Sequence, residues 1–233
     1  MPCCFPPALN AVLFDFDGTL IDASEAIVRA FRITLDADDL PDGAIRSLIG
    51  KPLTQMLQQF RPLASPSQIA ALVERYRNAF LPLAASHSRP LPGAIETLAF
   101  LRGKVHLAIV TTRMSDGAVQ MLSAHDMLDA FDLVIGLEHV DHPKPHPQPI
   151  LRALAILGVE ARRSVMIGDT PDDMKAARDA ETGAIGVTTG AFNTRALEKA
   201  GAHHVIASLT ELDVLLRQPI EMAHRQRLEF SAP

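Results

Sequence analysis

The sequence predicts an α/β protein: a parallel sheet covered by helices on both faces, with a block of helices inserted after the first strand. Three observations carry this. Ala11-Val-Leu-Phe is an apolar run of strand length that ends in an acid, Asp15. Residues 22 to about 83 read as four consecutive helical segments with no convincing strand between them. From residue 93 to residue 217, short apolar runs alternate with helical segments, which implies strand–helix–strand units with right-handed crossovers.

The elements follow in order. A buried strand should hide its side chains, so Asp15 must stand where the first strand emerges, and Gly18 lets the chain turn sharply just beyond. Ile27, Ala30, Phe31, Thr34 and Leu35 then repeat at helical spacing. Pro41–Ile49 is short and helix-compatible, Gly50 breaks it, and Pro52 starts a helix with Leu53, Met56, Leu57 and Phe60 on one face. Ser65-Pro66-Ser67-Gln68 offers a capping box that opens a helix with Ile69, Leu72, Val73, Tyr76 and Phe80 inward. Pro82–Pro92 is a proline-punctuated connection. Beyond it come strands at 105–111, 133–136, 164–169, 184–188 and 204–206. Helices are expected at 93–101, 116–125, 147–157, 171–180, 193–200 and 209–217. Residues 219–233 carry only weak helical periodicity, and Pro219 marks them off as an added helix or a frayed end.

With 233 residues, 48% hydrophobic and 21% charged, the chain has the make-up of an ordinary soluble globular protein with one good core and room for a smaller second one. A net charge of -5 argues against a general nucleic-acid or anionic-membrane binder, though small anionic substrates are allowed. The only cysteines, Cys3 and Cys4, are adjacent and cannot staple distant segments, which fits a reducing compartment. Met1–Pro7 lacks a basic, then apolar, secretory pattern and no later run reaches membrane-spanning length. A cytoplasmic protein without nucleic-acid or membrane partners is the expectation; oligomeric state is left open.

In an open parallel sheet the functional crevice lies at the carboxyl ends of the strands. Here those ends carry Asp15 and Asp17, then Thr111 and Thr112, then Asp169. Three acids in a partly dry cleft repel one another, so either some are protonated or a cation sits among them; an all-oxygen set suits a hard ion such as Mg²⁺. Asp173, four residues past Asp169, can reach back to bind that ion or hold its waters, whereas Asp172 is explained by the helix dipole alone. Lys144, in His142-Pro143-Lys144-Pro145-His146, is either a solvated loop lysine or a rigidly mounted ammonium that balances the acids and a phosphate. His142 and His146 lack the mounting of a transition-metal pair. There is no GxxxxGK[ST] or GxGxxG loop and no GxSxG elbow, so a carboxylate nucleophile remains.

Taken together, Asp15-Phe-Asp17-Gly18-Thr19, Thr111 after an apolar strand, Lys144 in a Lys-Pro-x-Pro context, and Gly168-Asp169-x-x-x-Asp173 resemble the four motifs of the haloacid dehalogenase superfamily, phosphatase branch. The resemblance runs from Ala11 to about Leu216 and implies a Rossmann-like core (10–21 and 90–218), a helical cap (22–89) and terminal tails (1–9 and 219–233). It implies that Asp15 attacks phosphorus to form an aspartyl-phosphate, and that Asp17 protonates the leaving group and then activates water. Thr111 and Lys144 would hold the phosphoryl oxygens, with Thr112 beside them. Mg²⁺ would be held by Asp15, the Asp17 carbonyl, Asp169 and, directly or through water, Asp173. Asp17 favours phosphate esters, because halide displacement needs no proton.

Thr112 stands where relatives often have asparagine, Arg113 where lysine is frequent, and Glu181 where a glycine often ends the helix, so that Thr182-Gly183 is expected to do the terminating. Lys51, in Gly50-Lys51-Pro52, matches a cap loop that faces the core and is a candidate contact for an anionic substrate; a solvated lysine at a helix start is the plainer alternative. The expected activity is a Mg²⁺-dependent phosphomonoesterase acting on a small phosphorylated metabolite, of the phosphoglycolate phosphatase-like kind. A phosphomutase, a pyrophosphatase and a non-catalytic phospho-ligand binder are the rivals.

Overall fold

The structure is a computed structural model that describes residues 6–84 and 86–230, with side chains through Ala223. Cys3 and Cys4 lie outside the described residues. Strand β1 (Ala11–Phe14) leads through β2 (Ile21–Asp22) into helices α1 (Ser24–Leu35), α2 (Asp42–Arg46), α3 (Leu53–Phe60) and α4 (Pro66–Ala84), and the chain returns through β3 (Arg89–Pro90). The remainder alternates: α5 (Ala94–Leu101), β4 (His106–Val110), α6 (Ser115–Ala124), β5 (Leu133–Ile135), α7 (Gln148–Leu157), β6 (Ser164–Gly168), α8 (Pro171–Asp179), β7 (Gly183–Val187), α9 (Thr194–Ala200), β8 (His204–Ile206) and α10 (Leu212–Phe230).

The six long-range strands pair in parallel in the order β5-β4-β1-β6-β7-β8. Strand β1 lies between β4 and β6, so the carboxyl ends of these three strands meet where the strand order reverses, the place where open α/β sheets carry their sites. Side chains alternate across the sheet as strand geometry demands. Val12, Phe14, Leu107, Ile109, Val165 and Ile167 face one way, against α5, α6 and α10. Ala11, Leu13, Ala108, Val110 and Met166 face the other, against α7, α8 and α9. Both faces are covered, which is why these runs read as continuously apolar.

The apolar interior of α1–α4 does not form a separate second core. Phe31, Ile45, Met56, Leu57, Tyr76 and Phe80 are continuous with the first of the two sheet faces. Within it Phe31 packs edge-on against Phe60 (5.8 Å) and Tyr76 (5.1 Å), and Tyr76 stacks on Phe80 at 5.6 Å. The expected capping box opens α4: the Ser65 amide donates to Gln68 Oε1 (2.8 Å) and the Gln68 amide to Ser65 Oγ (3.3 Å).

Three features differ from the sequence reading. The helical block is entered and left through an antiparallel ribbon, Ile21 opposite Pro90 and Asp22 opposite Arg89, where no strand was expected. Two-residue strands are too short to show periodicity; only the pairing across 67 residues makes them. Helix α8 ends on Glu181 itself, at φ 59°, while Gly183 already belongs to β7. The Thr182 amide reaches the Ala177 carbonyl (3.0 Å), so the left-handed residue must be the one before it, and a non-glycine side chain bears the cost. Finally, α10 runs through Pro219, because Leu216, Ile220 and Ala223 are buried against the core and the Leu9 amide bonds the Pro219 carbonyl at 3.0 Å. No helix among the described residues is long and apolar enough to cross a membrane.

Phe31 is fully buried at the centre of the cap's aromatic cluster. Phe31→Ala should therefore lower stability by about 3–5 kcal/mol, read as a shift in the urea midpoint without a large change in slope.

Candidate active site

The carboxyl ends of β1, β4 and β6 deliver Asp15, Thr111 and Asp169, all buried. Lys144 joins them from the proline-rich loop after β5, its side chain only 3% exposed. All three of its ammonium protons are used: Asp15 Oδ1 at 2.7 Å, Asp173 Oδ1 at 2.6 Å and the Val110 carbonyl at 2.8 Å. Burial alone would lower its pKa, but the charges of Asp15 and Asp173 outweigh burial and hold it above the ordinary lysine value.

Asp173 sits at the third position of α8 in a capping box. Its Oδ2 accepts from the Thr170 amide (3.0 Å) and hydroxyl (2.6 Å), and its own amide donates to Thr170 Oγ1 at 3.2 Å. Asp169 precedes the helix, so Asp173 reaches the centre by folding back over the helix start rather than along a helical turn. Gly168 leaves the space that the Asp173 side chain fills. Both Asp173 oxygens are thus engaged by Lys144 and Thr170.

Asp169 accepts from Thr19 Oγ1 at 3.0 Å. Gly18 turns against it at φ 84°, where a Cβ would come within 2.5 Å of Asp169 Oδ2. Burial, then the charges of Asp15 and Asp173, raise the Asp169 pKa well above the ordinary carboxylate value. Burial pushes Asp15 up to about 7 despite the opposing pull of Lys144. Asp15, Asp169 and Asp173 bring ligand atoms within 4.8 Å of one another, the one such group among the described residues. Were all three carboxylates ionised, one ammonium would leave two negative charges uncompensated in this buried cluster. An all-oxygen set with that excess fits a hard divalent cation, so the triad could hold a metal ion.

Asp17 points elsewhere. Its carboxylate is held by Arg113 in a two-pronged pair, Nη2 to Oδ1 at 2.7 Å and Nε to Oδ2 at 3.0 Å, with both side chains about nine-tenths shielded from water. It borders a cavity of about 210 Å³ between the cap helices and the core, walled by Leu53, Met56, Val73, Tyr76 and Phe80. Lys51 is exposed at the rim of the same cavity. Thr111 Oγ1 accepts from the Arg113 amide at 3.1 Å, whereas Thr112 Oγ1 donates to the Gly50 carbonyl at 2.9 Å and so faces the cap. Gly50, at φ 98°, lets that loop close onto the core, since a Cβ there would meet Thr170 Cγ2 at 2.8 Å.

A sequence profile described as haloacid dehalogenase-like hydrolase matches residues 12–187. The chain belongs to the haloacid dehalogenase-like hydrolases. It is 36% identical over 208 residues to a Dickeya dadantii protein named "Probable phosphatase IndB", covering 86% of this chain and 90% of that protein. A phosphoglycolate phosphatase of Caulobacter vibrioides is 30% identical over 209 residues, covering 86% of this chain and 88% of the other. Among solved structures, a hydrolase from Pseudomonas syringae superimposes with a TM-score of 0.78 at 29% identity over 89% of this chain and 98% of that one. The hydrolase therefore stands on the phosphatase branch of the family, and its α/β fold with a parallel six-stranded sheet matches its neighbours.

The structure thus gathers Asp15, Asp169, Asp173 and Lys144 into one cluster, with Thr111 at the end of the adjoining strand, pairs Asp17 with Arg113, ties Thr112 to the Gly50 carbonyl, and leaves Lys51 exposed beside the cap cavity. Sequence reasoning gave no role to Arg113, Thr19 or Thr170. Thr19 and Thr170 stood inside the quoted motifs, but their partners lie 150 residues away in one case and across a helix start in the other. Arg113 pairs across 96 residues, which no local pattern shows.

With no metal bound, the raised Asp15 pKa has a definite sign. Between the unfolded value of 3.8 and the folded value of about 7 the folded state binds more protons than the unfolded state, so stability falls as pH rises through this window. Urea unfolding in a chelator should give a lower midpoint at about pH 7.5 than at about pH 5, and Asp169→Asn should flatten the difference. An unchanged slope in that variant would count against a raised Asp169 carboxyl.

Proposed function

We propose that this hydrolase is a Mg²⁺-dependent phosphomonoesterase that acts on a small phosphorylated metabolite through an aspartyl-phosphate. The observation that carries it is the division of the two motif acids. Asp15 is buried against Lys144 in the carboxylate cluster, while Asp17, two residues on, faces the cavity where a leaving group would lie.

In the first displacement an Asp15 oxygen bonds to phosphorus as the bond from phosphorus to the leaving oxygen breaks, and Asp17 gives that oxygen its proton. In the second a water oxygen bonds to phosphorus, Asp17 takes the water proton, and the bond from phosphorus to Asp15 breaks, releasing inorganic phosphate. Lys144 and the Thr111 hydroxyl hold the phosphoryl oxygens as charge builds on them. The residues that would hold Mg²⁺ are Asp15, Asp169 and the Asp17 carbonyl, and the bound ion would supply positive charge to offset that of the transferring phosphoryl group. Asp173, with both oxygens engaged, positions Lys144 and would serve an ion only through water. Lys51 at the cavity rim is assigned to the anionic end of a substrate.

The wall formed by Leu53, Met56, Val73, Tyr76 and Phe80 favours a carbon-bearing ester over inorganic pyrophosphate, which has no apolar part to place there. Tight binding of one ester without turnover would favour the non-catalytic reading.

Release of inorganic phosphate across a panel of phosphate esters, with pyrophosphate included, should require Mg²⁺ and vanish in Asp15→Asn. Asp17→Asn should cost about 10²–10⁴ in rate on esters with poor leaving groups. Turnover that survives Asp15→Asn would remove the nucleophile assignment.

A further inference from the structure

One oxygen of Asp169, Oδ1, accepts from Thr19, and the other lies in a slot between two glycines. A Cβ on Gly18 would come within 2.5 Å of Asp169 Oδ2, and one on Gly190, in the loop after β7, within 1.8 Å of the same atom. The positive φ of Gly18 favours glycine in any case, but Gly190 has no such backbone. At Gly190 only the Asp169 carboxylate forbids a side chain.

The two walls of the slot are joined, because Thr189, the residue before Gly190, donates its hydroxyl to the Gly18 carbonyl. The loop that carries Thr189 is fixed at both ends. The Thr188 amide bonds the Ile206 carbonyl of β8 at 3.0 Å, and Asn193 Oδ1 caps α9 by accepting from the Ala196 amide at 3.0 Å. On its other side Gly18 donates its amide to the Ile21 carbonyl at 2.9 Å. In a trans peptide the N–H and the C=O point in opposite directions, so that bond also fixes the line of the Asp17 carbonyl. Both peptide groups of Gly18 are thus engaged, one by β2 and one by Thr189. The slot opens on a cavity of about 250 Å³ that Gly18, Asp169, Thr189 and Gly190 line together, which leaves room for the waters that Mg²⁺ keeps.

Resting on the Mg²⁺ assignment of the phosphomonoesterase reading, we propose that Thr189 and Gly190 are positioning residues for the metal centre. Neither stands in the four sequence motifs. Gly190 supplies the second wall against Asp169, and the Thr189 hydroxyl holds that wall to the Gly18 turn, next to the Asp17 carbonyl. A carboxylate confined in this way gives up little freedom when it takes an ion, and partners one shell out from a metal set its affinity through such confinement.

Metal binding without substrate tests this, with Mn²⁺ as the probe and free Mn²⁺ counted by electron paramagnetic resonance during titration into the full-length protein. Thr189→Val keeps the shape and removes the donor, and should raise the Mn²⁺ Kd by about 10-fold or more. Thr189→Ser keeps the hydroxyl and should stay within about 3-fold of wild type. Gly190→Ala should weaken Mn²⁺ at least as much as Thr189→Val. In a chelator, Gly190→Ala should lower the urea midpoint of the wild-type protein but not that of Asp169→Ala, since the clash is with that carboxylate. The same unfolding curves check that each variant folds; if Thr189→Val does not, Gly190→Ala and Thr189→Ser carry the test. An unchanged Kd in folded Thr189→Val, whatever its stability, or an equal loss from Gly190→Ala in both backgrounds, would overturn the proposal and leave the phosphatase reading intact. Wild-type protein that bound no Mn²⁺ would remove the Mg²⁺ assignment along with it.

Discussion

The centre of this molecule is an imbalance of charge: one buried ammonium among three buried carboxylates. Lys144 spends every proton on Asp15, Asp173 and the Val110 carbonyl, so it ties together the ends of β1 and β4 and the start of α8. Removing either acid partner would leave a charge in a place where desolvation is severe, and removing the lysine would leave the acids facing one another. The sheet supplies the convergence. The flanking loops supply the cations and hydroxyls that make it tolerable.

Even so, the protein leaves the cluster under-neutralised, with Asp15 and Asp169 both raised above the ordinary carboxylate range, burial being the main cause. Such a cluster is poorly suited to being a structural knot and well suited to receiving a divalent ion. Two hydroxyls fix its acids in place: Thr19 donates to Asp169, and Thr170 donates to Asp173.

The ribbon β2–β3 holds both ends of the inserted helices beside the first motif, and an ion pair between Arg89 and Asp22 (3.1 Å) reinforces it at the surface. Besides the apolar interior they share, the cap meets the core at the loop, where Thr112 bonds the Gly50 carbonyl, and at α4, where Phe80 lies over Arg113. Those contacts enclose a cavity with an apolar wall and a cationic rim.

Much of this was legible in the residues themselves. Apolar runs that end in Asp15, Thr111 and Asp169 place three functional groups at strand ends, because a buried strand can show polarity only where it emerges. The capping box at Ser65-Gln68 and the helical block between two stretches of different texture are likewise local facts of spacing. What the tertiary structure decided were the pairings of residues distant in sequence. Examples are the two-residue ribbon, the merging of the cap's apolar interior with one face of the sheet, the persistence of α10 through Pro219, and the choice of Glu181 rather than Gly183 as the turning residue. Above all it decided that Asp17 would be held by Arg113. The reason is physical: periodicity reports which face of an element is buried, but a hydrogen bond across 96 residues leaves no periodic trace, and only the folded chain brings its two ends together.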